Sequence, residues 1–110
     1  MVPQNNPLLS MLGICRAAGK LSIGSEASTA AVKSGKSRLV VIAGDISQKT
    51  EKELRYAAKD SDIPIIRINE TLLELSRAIG IKAGVVSVND AGLAGAVQSR
   101  CRNTGEEISL

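Results

Sequence analysis

The sequence predicts an α/β fold in which a β-sheet lies between layers of helices. Helical and strand patterns alternate along the chain in the order α-β-α-β-α-β-α-β-α, which is typical of a sheet covered by helices. The run 39–43 is continuous, branched and apolar, as expected of a strand that is buried on both faces. With 110 residues and 44% hydrophobic side chains, the chain has the size and composition of one domain.

The first half of the chain is divided by its glycines into two helices and two strands. Apolar residues recur at helical spacing from Leu8 to Cys15, and we expect Gly19 to end this helix. An alanine-rich segment that stops at Gly35 predicts the second helix. The predicted elements are helix 7–18, strand 21–23, helix 25–34 and strand 39–43.

The second half continues the alternation. Thr50 and Glu53 have the spacing of a capping box and predict a helix that opens there and runs to about Ser61. Pro64 suits the beginning of a strand, where its missing N–H costs least, and Asn69 suits the cap of the next helix. The predicted elements are helix 50–61, strand 63–68, helix 70–79, strand 85–88 and helix 91–99, all within one domain of residues 1–102 that is followed by a loose tail, 103–110.

The composition excludes several classes of function. Tyr56 is the only aromatic residue, which disfavours modules that stack several rings on unpaired bases. The absence of histidine removes Ser-His-Asp and Cys-His nucleophiles and most zinc sites. Cys15 and Cys101 lack CxxC spacing and are interpreted as reduced thiols. We therefore expect no catalysis, no metal and no cofactor.

No apolar stretch approaches the roughly 20 residues that a membrane span requires, the longest being 39–43. The amino-terminal residues also lack the basic and apolar regions of a secretory signal. We therefore expect a soluble, cytoplasmic protein with no membrane partner.

The positive charge is concentrated in the first half of the chain. The formal net charge is +3, yet residues 1–44 hold five basic residues against the single acidic residue Glu26. Such an excess predicts contacts with phosphate, for which Lys20, Lys33, Lys36 and Arg38 are the candidates. The alternative is a solvated charged face with no partner.

Two motifs invite a ligand-binding interpretation that the pattern does not support. Gly35-Lys36-Ser37 looks like the end of a phosphate-binding loop, but position 30 is Ala30 and the tripeptide follows a helix rather than opening one. Asp45 directly follows the central strand, where open α/β sheets often bind ligands. A role in the turn is the favoured interpretation of Asp45, and a ligand role stays open.

Two further segments could bind a nucleic acid. Gly24-Ser25-Glu26 lies where a short strand meets a helix, and a helix N-terminus offers free N–H groups to phosphate. The alternative is that Ser25 caps the helix and Glu26 favours its dipole. The loop 79–85 joins glycines, an isoleucine outside the helical period and a lysine, which would suit packing on an extruded base, although it could equally be a well-packed turn.

Four stretches of the sequence resemble a known family. The matching stretches are LGICRAAGKLSIGSEAS, KSGKSRLVVIAGDIS, DIPIIRI and LSRAIGIKAGVVSVNDAGLA. Across residues 8–98 the chain resembles the kink-turn-binding ribosomal protein family of archaeal and eukaryotic large subunits, in its small bacterial ribosomal-protein-like branch. The resemblance implies a three-layer α/β/α sandwich with a mixed four-stranded sheet. It also implies binding to RNA in which tandem sheared G·A pairs sharply bend the helix.

The resemblance also implies which residues read the RNA. In the family, a Gly-x-Asn-Glu-type segment at the first strand-helix junction reads the guanines, and Gly24, Ser25 and Glu26 fall there. Ser25 stands where the family has asparagine, and Thr29 stands where it has a lysine one helical turn further on. The family's apolar loop, which contacts an extruded nucleotide, corresponds to residues 79–85.

We therefore expect the basic residues of the first half of the chain, the segment 24–26 and the loop 79–85 to lie at one end of the sandwich and to form one surface. The expected RNA-binding residues are Lys20, Gly24, Ser25, Glu26, Lys33, Lys36, Arg38, Asp45, Ile79, Gly80, Ile81, Lys82 and Ala83. The expected partner is structured, kink-turn-like RNA with G·A pairs, bound by a ribosome component or a translation-associated accessory factor. The alternative is a small-ligand or protein-interaction domain that kept the fold and lost RNA recognition.

Overall fold

A computed structural model describes residues 6–101, in which helices and strands alternate as the sequence predicts. The elements are α1 (Pro7–Ala17), β1 (Leu21–Ile23), α2 (Ser25–Lys33), β2 (Leu39–Ile42), α3 (Gln48–Ala57), β3 (Ile65–Arg67), α4 (Leu72–Ile79), β4 (Val85–Val88) and α5 (Ala91–Cys101). The predicted tail, residues 103–110, lies outside the described residues.

The four strands form one mixed sheet in the order β1-β4-β2-β3. β2 and β3 are parallel, whereas β4 is antiparallel to both of its neighbours. Leu21 and Leu39, the first residues of β1 and β2, both pair with Val88, while Ile42 pairs with Val85. The sheet therefore has two opposite ends, which we call the Val85 end and the Val88 end.

Helices cover both faces of the sheet. On one face, α1, α4 and α5 contribute buried residues such as Leu12, Leu75 and Val97 to the larger core. On the other face, α2 and α3 contribute Val32 and Leu54 to a smaller one. All four residues of β2 are buried, as expected for a strand covered on both sides. The three-layer α/β/α sandwich with a mixed four-stranded sheet is confirmed.

Two predicted helix starts are wrong by a few residues. α3 begins two residues earlier than predicted, because the Ser47 side chain accepts a hydrogen bond from the N–H of Thr50 at 3.1 Å and caps the helix. α4 begins later than Asn69, because Thr71 and Glu74 form the capping box. The N–H of Gly44 donates a hydrogen bond to the carbonyl of Glu70 at 2.8 Å, and this bond holds Glu70 outside the helix.

The bounds of three predicted elements also shift at other ends. α3 stops at Ala57 rather than near Ser61, and α5 continues past Ser99 to Cys101. β3 spans only Ile65–Arg67, because Pro64 lies just before it and contributes its carbonyl, which accepts from Val40 at 2.9 Å.

Two glycines allow close packing at the Val85 end, Gly44 against backbone and Gly84 against side chains. A Cβ on Gly44 would lie 2.7 Å from the carbonyl oxygen of Ile68, and one on Gly84 would lie 2.6 Å from the Cδ1 atom of Ile46. Gly44 therefore has no room for a side chain, and a side chain at Gly84 would have to displace the end of Ile46. The loops that leave β2 and enter β4 are therefore held tightly against their neighbours.

Candidate functional site

The β1-α2 junction, the end of β2 and the start of β4 meet at the Val85 end. The N–H of Gly24 donates to the carbonyl of Val85 at 2.7 Å, and the N–H of Ala43 donates to the carbonyl of Gly84 at 2.9 Å. The segment Gly24–Glu26 is therefore placed beside the loop that leads from α4 into β4. The structure brings together the two segments that sequence analysis selected for base recognition.

The N-terminus of α2 carries no side-chain cap. Gly24 is the N-cap residue, with φ 100° and ψ 161°, a backbone conformation that is essentially restricted to glycine. Ser25 is the first helical residue, so the expectation that it caps the helix is wrong. Ser25 and Glu26 are both exposed, so N–H groups of the first turn and one carboxylate face outward together.

The loop after α4 exposes only its middle residues. Ile81 is 41% exposed, and Gly80 and Lys82 are exposed beside it. Ile79 and Ala83 are 2% and 8% exposed and lie in the larger core. Both side chains are packed inside the protein, and a contact of Ile79 or Ala83 with RNA stays a prediction. Ile81, as expected, is not a core residue.

The loop is anchored on both sides of Ile81. The hydroxyl of Ser76 accepts from the N–H of Ala83 at 2.9 Å and donates to its carbonyl at 3.2 Å. On the other side, Arg16 donates through Nη1 to the carbonyl of Ile79 at 2.7 Å. Ile81 and Lys82 thus project from a loop whose two bases are fixed to α4 and α1.

Asp45 lies in the turn after β2, also at the Val85 end. Its Oδ1 atom accepts a hydrogen bond from the N–H of Leu72 at 2.8 Å and so helps to cap α4. The favoured interpretation, a role in the turn, agrees with this contact. A contact between Asp45 and RNA stays a prediction.

The basic residues lie at the opposite end of the sheet. The N–H of Arg38 donates to the carbonyl of Val88 at 2.8 Å, and the carbonyl of Lys20 accepts from the N–H of Asn89 at 2.9 Å. Lys36 lies two residues before Arg38, and Lys33 ends α2. The expectation that these cations share one end with Gly24 is wrong, because β1 and the nine residues of α2, about 14 Å of helix, separate the two groups.

Gly35-Lys36-Ser37 follows the end of α2, as predicted, and opens no helix. Gly35 has φ 82°, and Ser37 is fully buried, with its hydroxyl 2.7 Å from that of Ser87. A buried serine in that position is unsuited to a phosphate-binding loop.

Sequence analysis missed a buried polar chain at the Val88 end. The Ser87 hydroxyl donates to Oδ1 of Asn89 at 2.7 Å, and Asn89 donates through Nδ2 to the hydroxyl of Ser22 at 2.9 Å. Together with the contact between Ser37 and Ser87, these bonds link β4 to β1 and to the residue before Arg38. The signal was a lone serine inside the apolar run of β4.

Sequence analysis also missed a groove of about 490 Å³ between α2 and α3. Glu26 and Lys33 line one wall, and Glu53, Tyr56 and Lys59 line the other. Tyr56 is 70% exposed, and the Lys59 ammonium lies 4.8 Å from the centroid of its ring. The signal for this groove was the one aromatic residue on a helix otherwise rich in charge.

Within residues 6–101 no three potential ligands cluster in a way that could hold a metal ion, and no helix there has the length and apolar character to cross a membrane. Cys15 and Cys101 are buried thiols. Burial, together with the charge of Asp90, raises the pKa of the Cys15 thiol and makes it a poor nucleophile.

The sequence matches a known family over most of its length. The model of the ribosomal protein L7Ae/L30e/S12e/Gadd45 family matches residues 8–97. The large ribosomal subunit protein eL30 of Methanocaldococcus jannaschii is 34% identical over 91 residues, which cover 81% of this chain and 83% of that protein. The RNA-binding protein YlxQ of Enterococcus faecium is 27% identical over 86 residues, covering 78% and 82%.

Solved structures share the fold. A protein of unknown function from Bacillus halodurans superposes with a TM-score of 0.83 at 29% identity, covering 89% of this chain and 99% of that one. The 15.5 kD RNA-binding protein of Giardia lamblia superposes with a TM-score of 0.70 at 23% identity, covering 90% and 85%.

Proposed function

This chain belongs to the ribosomal protein L7Ae/L30e/S12e/Gadd45 family, and from that premise we propose that it binds structured RNA at its Val85 end and acts without catalysis. The RNA is of the kink-turn type, with tandem G·A pairs. The relatives' names, which include ribosomal and RNA-binding proteins, support RNA binding over the alternative of a small-ligand or protein-interaction domain.

The observation that carries the proposal is the uncapped N-terminus of α2, which exposes Glu26 beside the loop of Ile81. A carboxylate offers only hydrogen-bond acceptors, and guanine is the base whose edge presents imino and amino donors together. The first-turn N–H groups and the positive end of the helix dipole suit a nearby phosphate. Glu26 thus reads a guanine while the backbone holds the RNA strand.

The exposed loop supplies the second contact. Ile81 presents an apolar surface without an aromatic ring, which suits packing against an extruded base, and Lys82 beside it is free to reach a phosphate. Base contact and phosphate contact then arise from adjacent residues. Binding by shape explains how a protein with a single tyrosine recognises unpaired nucleotides.

The family also supports association with the ribosome or with translation. Both a ribosome component and an accessory factor fit this assignment. Fractionation of cell extract on a sucrose gradient distinguishes them, because only a stable component stays with the subunits after a high-salt wash.

The proposal is tested by titrating two RNA duplexes with the protein. One carries the tandem G·A pairs, and the other has those pairs converted to Watson-Crick pairs. The parent protein should prefer the first duplex, and Glu26→Gln should lose about 1 to 3 kcal/mol of binding to that duplex only, because the amide cannot accept at both positions.

Glu53→Gln is the matched control, since Glu53 is an exposed glutamate that lines the opposite wall of the same groove. It removes the same charge and should leave the preference intact. An equal loss of affinity for both duplexes in Glu26→Gln would assign Glu26 to support of the helix start and would contradict base reading.

A further inference from the structure

Besides Lys33, which ends α2 and lines the groove between α2 and α3, the Val88 end carries three exposed cations that the proposed base-reading site does not use. Lys20, Lys36 and Arg38 are all exposed. Within residues 6–101 the salt bridges join Glu51 to Arg55 and to Arg67, so these three cations have no ionic partner there. Arg38 does donate through Nη1 to the carbonyl of Gly35 at 3.3 Å, but its charge is not neutralised.

The backbone beneath these cations is rigid. Lys20 follows the end of α1 and donates its N–H to the carbonyl of Cys15 at 3.0 Å. Lys36 follows the end of α2 in the same way and donates to Ala31 at 2.9 Å. These are the closing bonds of two helix C-terminal motifs, so each lysine leaves the fold at a defined position. The buried chain of Ser87 and Asn89 holds the adjoining strands together.

The charge at this end exceeds what the fold itself requires. The C-termini of α1 and α2 each carry about half a negative charge, which would favour roughly one cation in total. Two carboxylates lie near this end: Asp90 caps α5 by accepting from Leu93 at 2.9 Å, and Asp62 lines the same groove as Arg38 without forming a salt bridge to it. A positive excess remains, and it faces solvent.

We propose that Lys20, Lys36 and Arg38 form a second RNA surface, which binds phosphates of a helical stem beyond the nucleotides that the Val85 end reads. This inference rests on the proposed function, because the same RNA engages both ends. The two surfaces lie about one α2 length apart, roughly 14 Å, so only an RNA that continues along the protein past the G·A pairs reaches both. The surface contacts phosphate and carries no base specificity.

The test varies the length of the RNA and the charge of the surface together. A G·A duplex with short stems and one with both stems extended are titrated at several salt concentrations with the parent and with the triple variant Lys20→Gln, Lys36→Gln, Arg38→Gln. On the long RNA, loss of three phosphate contacts should flatten the log-log salt dependence by about 2 to 3. Between about 50 and 200 mM salt, the parent should then lose about 30-fold more affinity than the variant.

On the short RNA the triple variant should bind like the parent. The matched control is Lys49→Gln, Lys52→Gln, Lys59→Gln, which removes the same charge from exposed positions on and just after α3, where acidic residues alternate with the lysines. The control should match the parent on both RNAs. Circular dichroism melting verifies that each variant is folded.

The outcomes separate this inference from the proposed function. If the triple variant and the parent share one salt slope on the long RNA, the second surface is refuted, whatever the base preference. If the triple and control variants flatten the slope equally, the effect is one of net charge and the surface is refuted as well. If the parent does not prefer the G·A duplex, the proposed function fails, while the salt slope still reports on the Val88 end.

Discussion

The two ends of the sheet differ in which chemical groups they expose and in how firmly those groups are held. At the Val85 end, the Glu26 carboxylate and the helix N–H groups beside it are held by a glycine-restricted backbone, and the Ile81 side chain is held by bonds of its loop to α1 and α4. At the Val88 end, three cations stand on fixed backbone but on long, flexible side chains. The first arrangement suits groups that must be read at a defined position, and the second suits a charge that is the same at every nucleotide.

This contrast teaches that the three exposed cations and the residues proposed to read the RNA lie at different ends of the sheet. The positive excess of residues 1–44 suggested where RNA is bound, yet the residues best suited to read it are Glu26, which is acidic, and Ile81, which is uncharged. Changes at the Val85 end should therefore alter which RNA is bound, whereas changes at the Val88 end should alter how strongly salt weakens binding.

The largest expected effect comes from Ile81→Asp. A carboxylate in place of Ile81 would lie against a base and close to phosphate, so affinity for the G·A duplex should fall by about 100-fold or more. The midpoint of thermal unfolding should change little, because Ile81 is 41% exposed.

Leu73→Asp is the control for that substitution. Leu73 is 57% exposed on α4 and outside the loop, so the same change of chemistry there should leave RNA binding intact. If Ile81→Asp binds as tightly as the parent, the contact between Ile81 and an extruded base is refuted, and a function without RNA becomes the favoured interpretation.

A pair of glycine substitutions compares the two ends directly. Gly24→Ala and Gly35→Ala both place a side chain at a positive φ, and among the described residues neither Cβ would have an atom within 4 Å. Each should lower the free energy of unfolding by about 1 to 3 kcal/mol through backbone strain alone. Gly24→Ala should in addition abolish the preference for G·A pairs, because it displaces the helix start. Urea unfolding and titration measure the two effects, and a loss of preference in Gly35→Ala would contradict the assignment.

The smallest effect concerns the support of the Val85 end by an ion pair. Arg67 donates to Glu51 and, at 2.6 Å, to the carbonyl of Gly44. The hydrogen bond from Arg67, helped by Arg55, lowers the pKa of Glu51. A lowered folded pKa means stabilisation that is present above the ordinary value of about 4.5 and is lost as the pH falls through the folded value.

Glu51→Gln measures that contribution. At neutral pH its free energy of unfolding should be lower than that of the parent by less than about 1 kcal/mol. The two free energies, plotted against pH, should converge in acid. A gap that persists at a pH where Glu51 is protonated in both states would show that packing, and not charge, is responsible.

The element order was predictable because it depends on local periodicity, which the chain displays plainly at β2 and α1. The helix starts were less predictable, since Ser47 and Thr50 both offer a hydroxyl three residues before a free N–H. In the structure Ser47 is the residue that caps α3. The burial of Ile79 and Ala83 likewise depends on how α4 packs against α1.

The grouping of the basic residues with Gly24 failed for a simpler reason. Lys20 precedes β1 and Gly24 follows it, and residues on the two sides of a strand lie at opposite ends of a sheet. The same holds for α2, which carries the chain from Glu26 to Lys33. The direction in which β1 and α2 run therefore places Lys20 and Lys33 away from Gly24 and Glu26.

Gly44 and Gly84 have a consequence for how this protein can change. A larger residue at Gly44 would collide with the backbone of Ile68, whereas one at Gly84 would have to displace the side-chain end of Ile46, so Gly44 in particular, in the framework of the Val85 end, has almost no freedom to vary. The exposed positions Ser25, Glu26, Ile81 and Lys82 stand on that framework without supporting it. A library randomised at those four positions should therefore consist largely of folded proteins, and selection from it would redirect the scaffold to other RNAs without rebuilding it.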